Sequence, residues 1–569
     1  MNLRKIPQKN GRIHLSVGQG YRDINGKPKS KQVLSFGYLD EFINVYEDPI
    51  AHFQEVVRKM NEDANGKDKL ENFTLNRAET LEIGATGRNI GYAALSKIYH
   101  ELELDVFFSN HQRKYKVNYN LNSIVKLLVY SRILKPGSKK NAYENRGWYF
   151  DKMDISLNDI YRSLTILRNM SDDAQYWMHE KLMQKYGRDS SLVYYDVTNY
   201  YFEVDEEDEL RRNGLCKEHR PNPIVQMGLL MDNNGIPMSY KLFPGNNNDC
   251  TTLIPSLATV RQKYGVGKMI IVADKGMNTS KNVYYLANGR GWYIFSQKVR
   301  GGTKELQEYI FNESGYTWSG QDYKIKSRQF TRHVSIEQDN GKPDIEADIS
   351  EKQVVFYSRD FDKKAKMDRV KAIQKAKELI NNPTSFNKFN TYGAAKYIDH
   401  LEFDKDTGEI IQTKSIIRFN EAKLLEDEKY DGYYLIVTNA FDMSEQRIID
   451  TYRGLWEIEE TFKITKSDLE ARPVYVSRRD HIEGHFFTCF IALTIIRLLD
   501  KTLGGKYHTT AIINSLANAC CAHMGLNEYL AFYYDDTLEY IGEKLNIDFK
   551  KRFITLMDIR KIIAATKQD

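Results

Sequence analysis

The 569-residue chain predicts an α/β fold built on a mixed sheet. A mostly β insertion interrupts that core, and a helical region with a small N-terminal β hairpin module precedes it. Three observations lead there. From Ser191 the pattern turns to strands, SLVYYDVTNYYFEV, IVQMGLLMD and IPMSYKLFPGN, and then alternates helix, strand MIIVADKGM, helix, strand WYIFSQKV. Runs of this length, apolar throughout or alternating, read as buried and half-buried strands. Alternating tracts such as DISEKQVVFYS then break in, before the strand GYYLIVTN and the helix EQRIIDTYRGLWEIEETFKITKSDLEARP resume the core.

In chain order, residues 1–45 alternate in GRIHLSVGQGYRD, turn at Asn25-Gly26 and resume in KQVLSFGYL, a hairpin pattern. From Met1 to Phe36, Arg4, Lys5, Lys9, Arg12, Arg22, Lys27, Lys29 and Lys31 face only Asp23, which suits a module touching DNA as well as it suits a solvated hairpin. Residues 46–187 read as helices: HFQEVVRKMNEDANG ends at a Gly, and SLNDIYRSLTILRNM starts at a Ser or Asn cap. Within it KPGSKKNAYENRGWYF interleaves Lys139, Lys140 and Arg146 with Tyr143, Trp148 and Tyr149. Charge among aromatics suits phosphate and base contacts, with a solvated face as the bland alternative. Residues 188–300 are the first part of the core, 301–430 the insertion, 431–504 the second part, and 505–569 a helical tail. The most apolar run, Phe486 to Leu499, is too short for a membrane span and reads as a buried closing helix.

Composition narrows the function. Hydrophobic residues at 41% and charged residues at 28% describe a globular chain, and the net charge of +5 is small for its length. Five cysteines without a CxxC pair argue against a zinc site or a disulfide framework and fit a reducing cytosol. The N-terminus lacks an apolar signal core, and there is no glycine-rich phosphate loop and no Ser-His-Asp or Cys-His motif.

The chemistry lies in carboxylates. Asp196 sits inside the apolar strand LVYYDVTNYYF, and Asp274 ends MIIVAD before the Gly276 turn. A carboxylate in a hydrophobic strand is unfavourable unless it binds something, and one shared cation explains two of them; the bland readings are a capped bulge and a capped turn. On the 445–473 helix, at about 100° per residue, Tyr452, Glu459, Lys463 and Lys466 share one stripe, with Leu455, Ile458, Phe462 and Leu469 beside it. Glu459 can take a cation while Tyr452 and the lysines take phosphate oxygens. The bland reading is a solvated helix with a Glu459–Lys463 pair. If Asp196, Asp274 and Glu459 meet, three hard oxygen donors select Mg²⁺ or Mn²⁺, in a pair about 3.5–4 Å apart, over zinc. His485 reads as a satisfied core histidine, Trp456 as core, Asn246 to Asp249 as a strand exit, and the acidic run Asp205 to Glu209 as a solvated loop.

Tyr452-x2-Leu455-x3-Glu459-x6-Lys466 resembles the Y-x2-R-x3-E-x6-K signature of bacterial insertion-sequence transposases of the DDE class, in the insertion-sequence-four superfamily. LWEIEETFKITKSDLEARPVYV is similar to the insertion-sequence-sixteen-thirty-four branch, and YYDVTNYYFE and VADKGM resemble the first and second DDE motifs. One position departs: Leu455 stands where the family carries Arg, and Arg453, two residues earlier, falls on another face. The resemblance implies a ribonuclease H-like core with Asp196, Asp274 and Glu459 as catalytic metal ligands. It also implies DNA contacts through Tyr452, Arg453, Lys463 and Lys466, and an end-binding helical region carrying Lys139, Lys140 and Arg146. The implied activity is metal-dependent cleavage of an element's ends and their joining to target DNA, with excision through a hairpin. A dimer or higher assembly on double-stranded DNA, in the cytoplasm at the nucleoid and without a membrane, goes with it. The rivals are a DNA-binding derivative that no longer cuts and a metal nuclease that never joins.

Overall fold

Alternating residues at the N-terminus build a sheet of three strands, one more than a hairpin: β1 (Asn2–Pro7), β2 (Ile13–Arg22) and β3 (Pro28–Tyr38), antiparallel in that order. The structure is a computed structural model that describes residues 1–8, 11–22, 27–46, 48–66, 87–204, 206–214, 222–264, 269–289, 291–338, 342–382, 393–399, 418–525 and 527–567. The Asn25-Gly26 turn therefore lies outside the described residues. Leu15 and Val17 are fully buried, and the Phe36 ring packs 4.3 Å from the Phe53 ring of α1 (Pro49–Gly66). That helix, expected to open the helical region, belongs instead with this sheet. The chain divides into one compact unit of Met1–Thr86 with Met524–Glu528 and another of Gly87–His523 with Tyr529–Asp569.

In the larger unit, a short strand β4 (Arg88–Asn89) leads to α2 (Tyr92–Glu101), α3 (Leu104–Lys114), α4 (Leu121–Leu134), α5 (Lys139–Glu144) and α6 (Leu157–Tyr186). Ser156 starts α6 with a reciprocal capping box: its hydroxyl accepts from the Asp159 amide while the Asp159 carboxylate accepts from the Ser156 amide. Gly187, at φ +59°, ends it in the left-handed conformation.

The sheet follows: β5 (Leu192–Tyr201), β6 (Ile224–Asp232), β7 (Pro237–Pro244), α7 (Leu253–Lys263), β8 (Ile270–Ala273), α8 (Ser280–Asn288) and β9 (Trp292–Gln297). The insertion adds α9 (Lys304–Phe311), β10 (Thr317–Ser319), β11 (Tyr323–Ile336), β12 (Ile345–Ser358), α10 (Arg359–Asn381), β13 (Ile398–Asp399), β14 (Arg418–Phe419) and α11 (Glu421–Glu428), before β15 (Tyr433–Thr438). Nine strands share one sheet in the order β10-β11-β12-β15-β9-β8-β5-β6-β7. β8 runs parallel to both β5 and β9, and the remaining pairs are antiparallel.

One expectation needs correction here. Among the described residues the insertion is mixed rather than mostly β: α10 spans 23 residues and α9 and α11 eight each, beside two strands of 14 and three of two or three. The insertion extends the core sheet, because β12 pairs directly with β15 over Lys352–Tyr357.

Side chains alternate across the sheet. Val193, Tyr195 and Val197 of β5 join the core beneath α7 and α8, whereas Tyr194 and Tyr200 face the helices that come after β15. Those are α12 (Glu445–Arg453), α13 (Trp456–Lys463) and α14 (Arg479–Thr502). α14 is long and apolar enough to cross a membrane, yet its most apolar window is 94% buried inside the protein, so it is the central core helix. At Gly484 a β-carbon would lie 2.3 Å from the Leu164 carbonyl oxygen, which is why the backbones of α14 and α6 can touch. The C-terminal stretch is not only helical: with α15 (Thr509–Asn518), α16 (Asp536–Leu545) and α17 (Leu556–Ala565) come β16 (Cys520–Gly525), β17 (Glu528–Ala531) and β18 (Phe553–Thr555). These strands form a sheet in the order β18-β17-β16-β4, so a strand from the start of the unit is completed by its end.

Candidate active site

Strand register brings the first two carboxylates together. β5 and β8 pair in parallel at Leu192 with Ile270, Val193 with Ile271 and Tyr194 with Val272. Two residues further along the chain come Asp196 within β5 and Asp274 just past the end of β8. Asp196 shares the face of Tyr194 and Tyr200, and it is half-exposed in an otherwise buried stretch from Val193 to Tyr201. Asp274 is exposed at the end of β8. Its Oδ1 accepts hydrogen bonds from the Ser296 hydroxyl of β9 at 2.9 Å and from the Tyr452 hydroxyl of α12 at 3.2 Å. Burial, with the Asp274 carboxylate adding to it, raises the Tyr452 pKa, so this phenol stays protonated and donates.

The stretch expected as one helix is two, joined by a tight turn and followed by a wide one. Leu455 donates to the Tyr452 carbonyl at 3.0 Å and Ile458 to that of Leu455 at 3.2 Å, a three-residue spacing that tightens the helix between α12 and α13. Gly454 is required at this joint: a β-carbon there would sit 2.2 Å from the Tyr194 hydroxyl, which donates to the Thr451 carbonyl at 3.1 Å. From Ile464 to Asp468 the backbone widens into a π-helical turn, a local distortion that often marks function. Lys466 lies in it, its ammonium 5.7 Å from the centre of the Tyr200 ring. The helix pair is thus pinned to β5 near Tyr194 and near Tyr200. Asp196 lies between those anchors on the strand, as Glu459 does on the helix.

Among the glutamates of α13, Glu457 lies 3.9 Å from Arg497, and Glu460 lies 3.9 Å from the His508 ring. Glu459 is exposed, and the intrahelical pair with Lys463 is not formed among the described residues. Among those residues no three acidic, histidine or cysteine side chains form a group that could hold an ion.

Leu455 is buried, and Arg453 does not take the place of the missing Arg: it pairs with Asp450 at 3.3 Å and lies about 6 Å from the Tyr323 and Phe356 rings, toward β11 and β12. Lys463 is exposed. Lys139, read as a DNA contact, is 4% exposed and donates to Nδ1 of His485 at 3.0 Å. It opens α5 behind the Ser138 cap and turns inward toward α14, so it cannot reach DNA from there. Lys140 is exposed, 3.8 Å from Glu144, and Arg146 lies over the Tyr143 ring at 4.1 Å. His485 is the satisfied core histidine expected. Trp456, expected as core, is 58% exposed, because the tight joint at Gly454 rotates it off the apolar stripe. Ser296 went unread, although a hydroxyl inside the buried strand WYIFSQ is itself a signal.

The family model described as Transposase DDE domain matches residues 216–495, and the one described as IS1634 family transposase, N-terminal domain, matches residues 3–71. Both matches make the chain similar to DDE transposases of the IS1634 family. It is therefore a DNA transposase, of a class of metal-dependent enzymes that cleave and join DNA. Asp274 and Glu459 of the transposase fall inside the DDE match, and Asp196 shortly before it. No curated protein matches the chain. A cryo-EM structure of the piggyBac transposase synaptic complex with hairpin DNA is similar to this chain at 9% identity, with 84% of this chain and 85% of that one covered and a TM-score of 0.31.

Proposed function

We propose that Asp196, Asp274 and Glu459 of the transposase together hold two divalent ions, Mg²⁺ or Mn²⁺, and that the sheet carrying them is a ribonuclease H-like core. The observation that supports the reading is the parallel pairing of β5 with β8, the strands that carry Asp196 and lead into Asp274, with Tyr452 of α12 donating to Asp274. The strand order β7-β6-β5-β8-β9, antiparallel in its first three and parallel from β5 to β9, agrees with that fold. The donor set fits the ions, being all carboxylate oxygen without thiol or imidazole. When bound, the metal would activate the attacking water or 3′-hydroxyl and stabilise the leaving oxygen of the phosphodiester.

The chain's own groups set that chemistry up. Ser296 and Tyr452 fix the rotation of the Asp274 carboxylate by both donating to Oδ1. Lys466, held by the π turn, and the exposed Lys463 supply positive charge for the phosphate being cut. The same site serves hydrolysis at the element's ends and transesterification into target DNA, with a hairpin intermediate on excision. Joining two ends at once calls for a dimer or larger assembly on double-stranded DNA, in the cytoplasm at the nucleoid. The helical region, through Lys140 and Arg146, contributes to DNA binding.

The test is strand cleavage and joining on duplexes carrying the element's ends, with Mg²⁺ or Mn²⁺. Asp196→Asn, Asp274→Asn and Glu459→Gln are each expected to lower cleavage by about a hundredfold or more while end binding without metal persists. Wild-type cleavage in any of the three would remove that residue from the site.

A further inference from the structure

A second cleft, of about 510 Å³, opens between β4, the segment Arg146–Met153 and α17. It contains no residue of β5, β8 or α13. Four cations line it, Arg88, Arg146, Lys152 and Arg560, and none has a carboxylate within salt-bridge distance among the described residues. Arg146 donates to the Tyr143 carbonyl at 3.0 Å, and the Arg88 guanidinium lies 5.3 Å from the centre of the Phe150 ring. Two acids share the lining. Glu144 is drawn toward Lys140 on α5 at 3.8 Å, and one oxygen of Asp151 is buried. The balance of the cleft is positive.

Several guanidinium groups elsewhere in the protein, those of Arg188, Arg328, Arg369 and Arg497, each meet a carboxylate. Bringing four cations from three separate chain segments to one cleft without such partners raises their mutual repulsion, and an incoming polyanion relieves it. Three of the four are arginines, whose planar fork matches phosphate oxygens, and Tyr149 and Phe150 form an aromatic wall. Several cations around one open cleft suit the phosphates of a strand.

We propose that this cleft is a second DNA contact, which grips the phosphodiester backbone of duplex DNA outside the catalytic carboxylates. The inference rests on the transposase acting on DNA but not on the identity of its metal ligands. It places Arg146 in the company of Arg88, Lys152 and Arg560, none of which the sequence singles out.

The experiment is fluorescence anisotropy of the full-length protein, without divalent metal, on two labelled duplexes: one with the element's ends and one of unrelated sequence standing for target. Salt is varied from about 50 to 200 mM. Lys152→Gln with Arg560→Gln changes two exposed residues, and adding Arg88→Gln makes the triple variant. Releasing the grip on one phosphate lowers the slope of log Kd against log salt by about 0.9. The double variant should therefore lose roughly 2 in slope and the triple between 2 and 3, with Kd at about 100 mM salt raised tenfold or more. Loss on the end duplex alone assigns the cleft to the element's ends, loss on the unrelated duplex alone to target, and loss on both to either backbone. Unchanged slopes and affinities on both duplexes in the double variant overturn the proposal. Because binding is read without metal, failure of the carboxylate assignment would leave this result standing, and the converse also holds.

Discussion

Lys139 offers the sharpest test of the buried chemistry. Its ammonium is 4% exposed and bonds to Nδ1 of His485, whose other ring nitrogen lies 3.1 Å from the Ala471 carbonyl. A carbonyl only accepts, so Nε2 of His485 carries the proton and Nδ1 accepts from Lys139. Burial, with Arg132 nearby as the next cause, lowers the Lys139 pKa from 10.5 to about 7. In the unfolded chain the amine stays protonated up to 10.5, so between about pH 7 and 10.5 the unfolded state binds more protons and stability rises with pH. Below about pH 7 the penalty is fully present. At 1.36 kcal/mol per pH unit it amounts to about 5 kcal/mol as an upper bound, and about 2–3 kcal/mol of that disappears between pH 7 and 9. Lys139→Met keeps the length and removes the charge. Urea unfolding should show the variant more stable than the native protein at pH 6, with the difference shrinking by about 2–3 kcal/mol at pH 9. There the missing hydrogen bond, about 1 kcal/mol, begins to tell. Parallel pH profiles of the two proteins would refute the assignment.

Three further outcomes are expected. Arg188 and Asp232 form a buried pair at 2.7 Å with both side chains 2% exposed, so Arg188→Met leaves a carboxylate stranded and should destabilise by about 3–5 kcal/mol in urea unfolding; a change under about 1 kcal/mol would show the site to be wet. Gly454→Ala places a methyl 2.2 Å from the Tyr194 hydroxyl, and overpacking of that kind costs about 1–3 kcal/mol. Thermal melting should fall together with cleavage, and an unaltered protein would mean that the helix joint yields easily. Tyr452→Phe removes one donor to Asp274 without adding bulk, so cleavage should drop about tenfold, as for one hydrogen bond to a charged group, with end binding in the absence of metal unchanged. Equal cleavage rates would remove the hydroxyl from the positioning of Asp274.

What the sequence reveals and what it hides divide along range. Period and caps are local, so Ser156 announces α6, and the apolar run within α14 announces a core helix. A carboxylate inside LVYYDVTNYYF is also a local oddity, which is why Asp196 stands out before any register is known. Lys139 is different, because its burial depends on His485, 346 positions away, and a charge beside other charges reads as solvated. Trp456 misleads for a geometric reason: a uniform 100° step cannot foresee the tight joint at Gly454, nor the π turn that carries Lys466. Strand partners are equally invisible: the sequence does not show that β12 lies in register with β15, nor that β16 pairs with β4.

The pairing of β12 with β15 also limits how this protein can be shortened. Deleting the stretch between β9 and β15 would strip one side of Tyr433–Thr438, leaving a row of backbone amides and carbonyls on a segment whose last four residues are buried. An uncovered apolar margin of that kind recruits strands from other molecules. A trimmed version would be expected to aggregate before its chemistry could be measured, and the inserted stretch thus works as the selvage of the sheet.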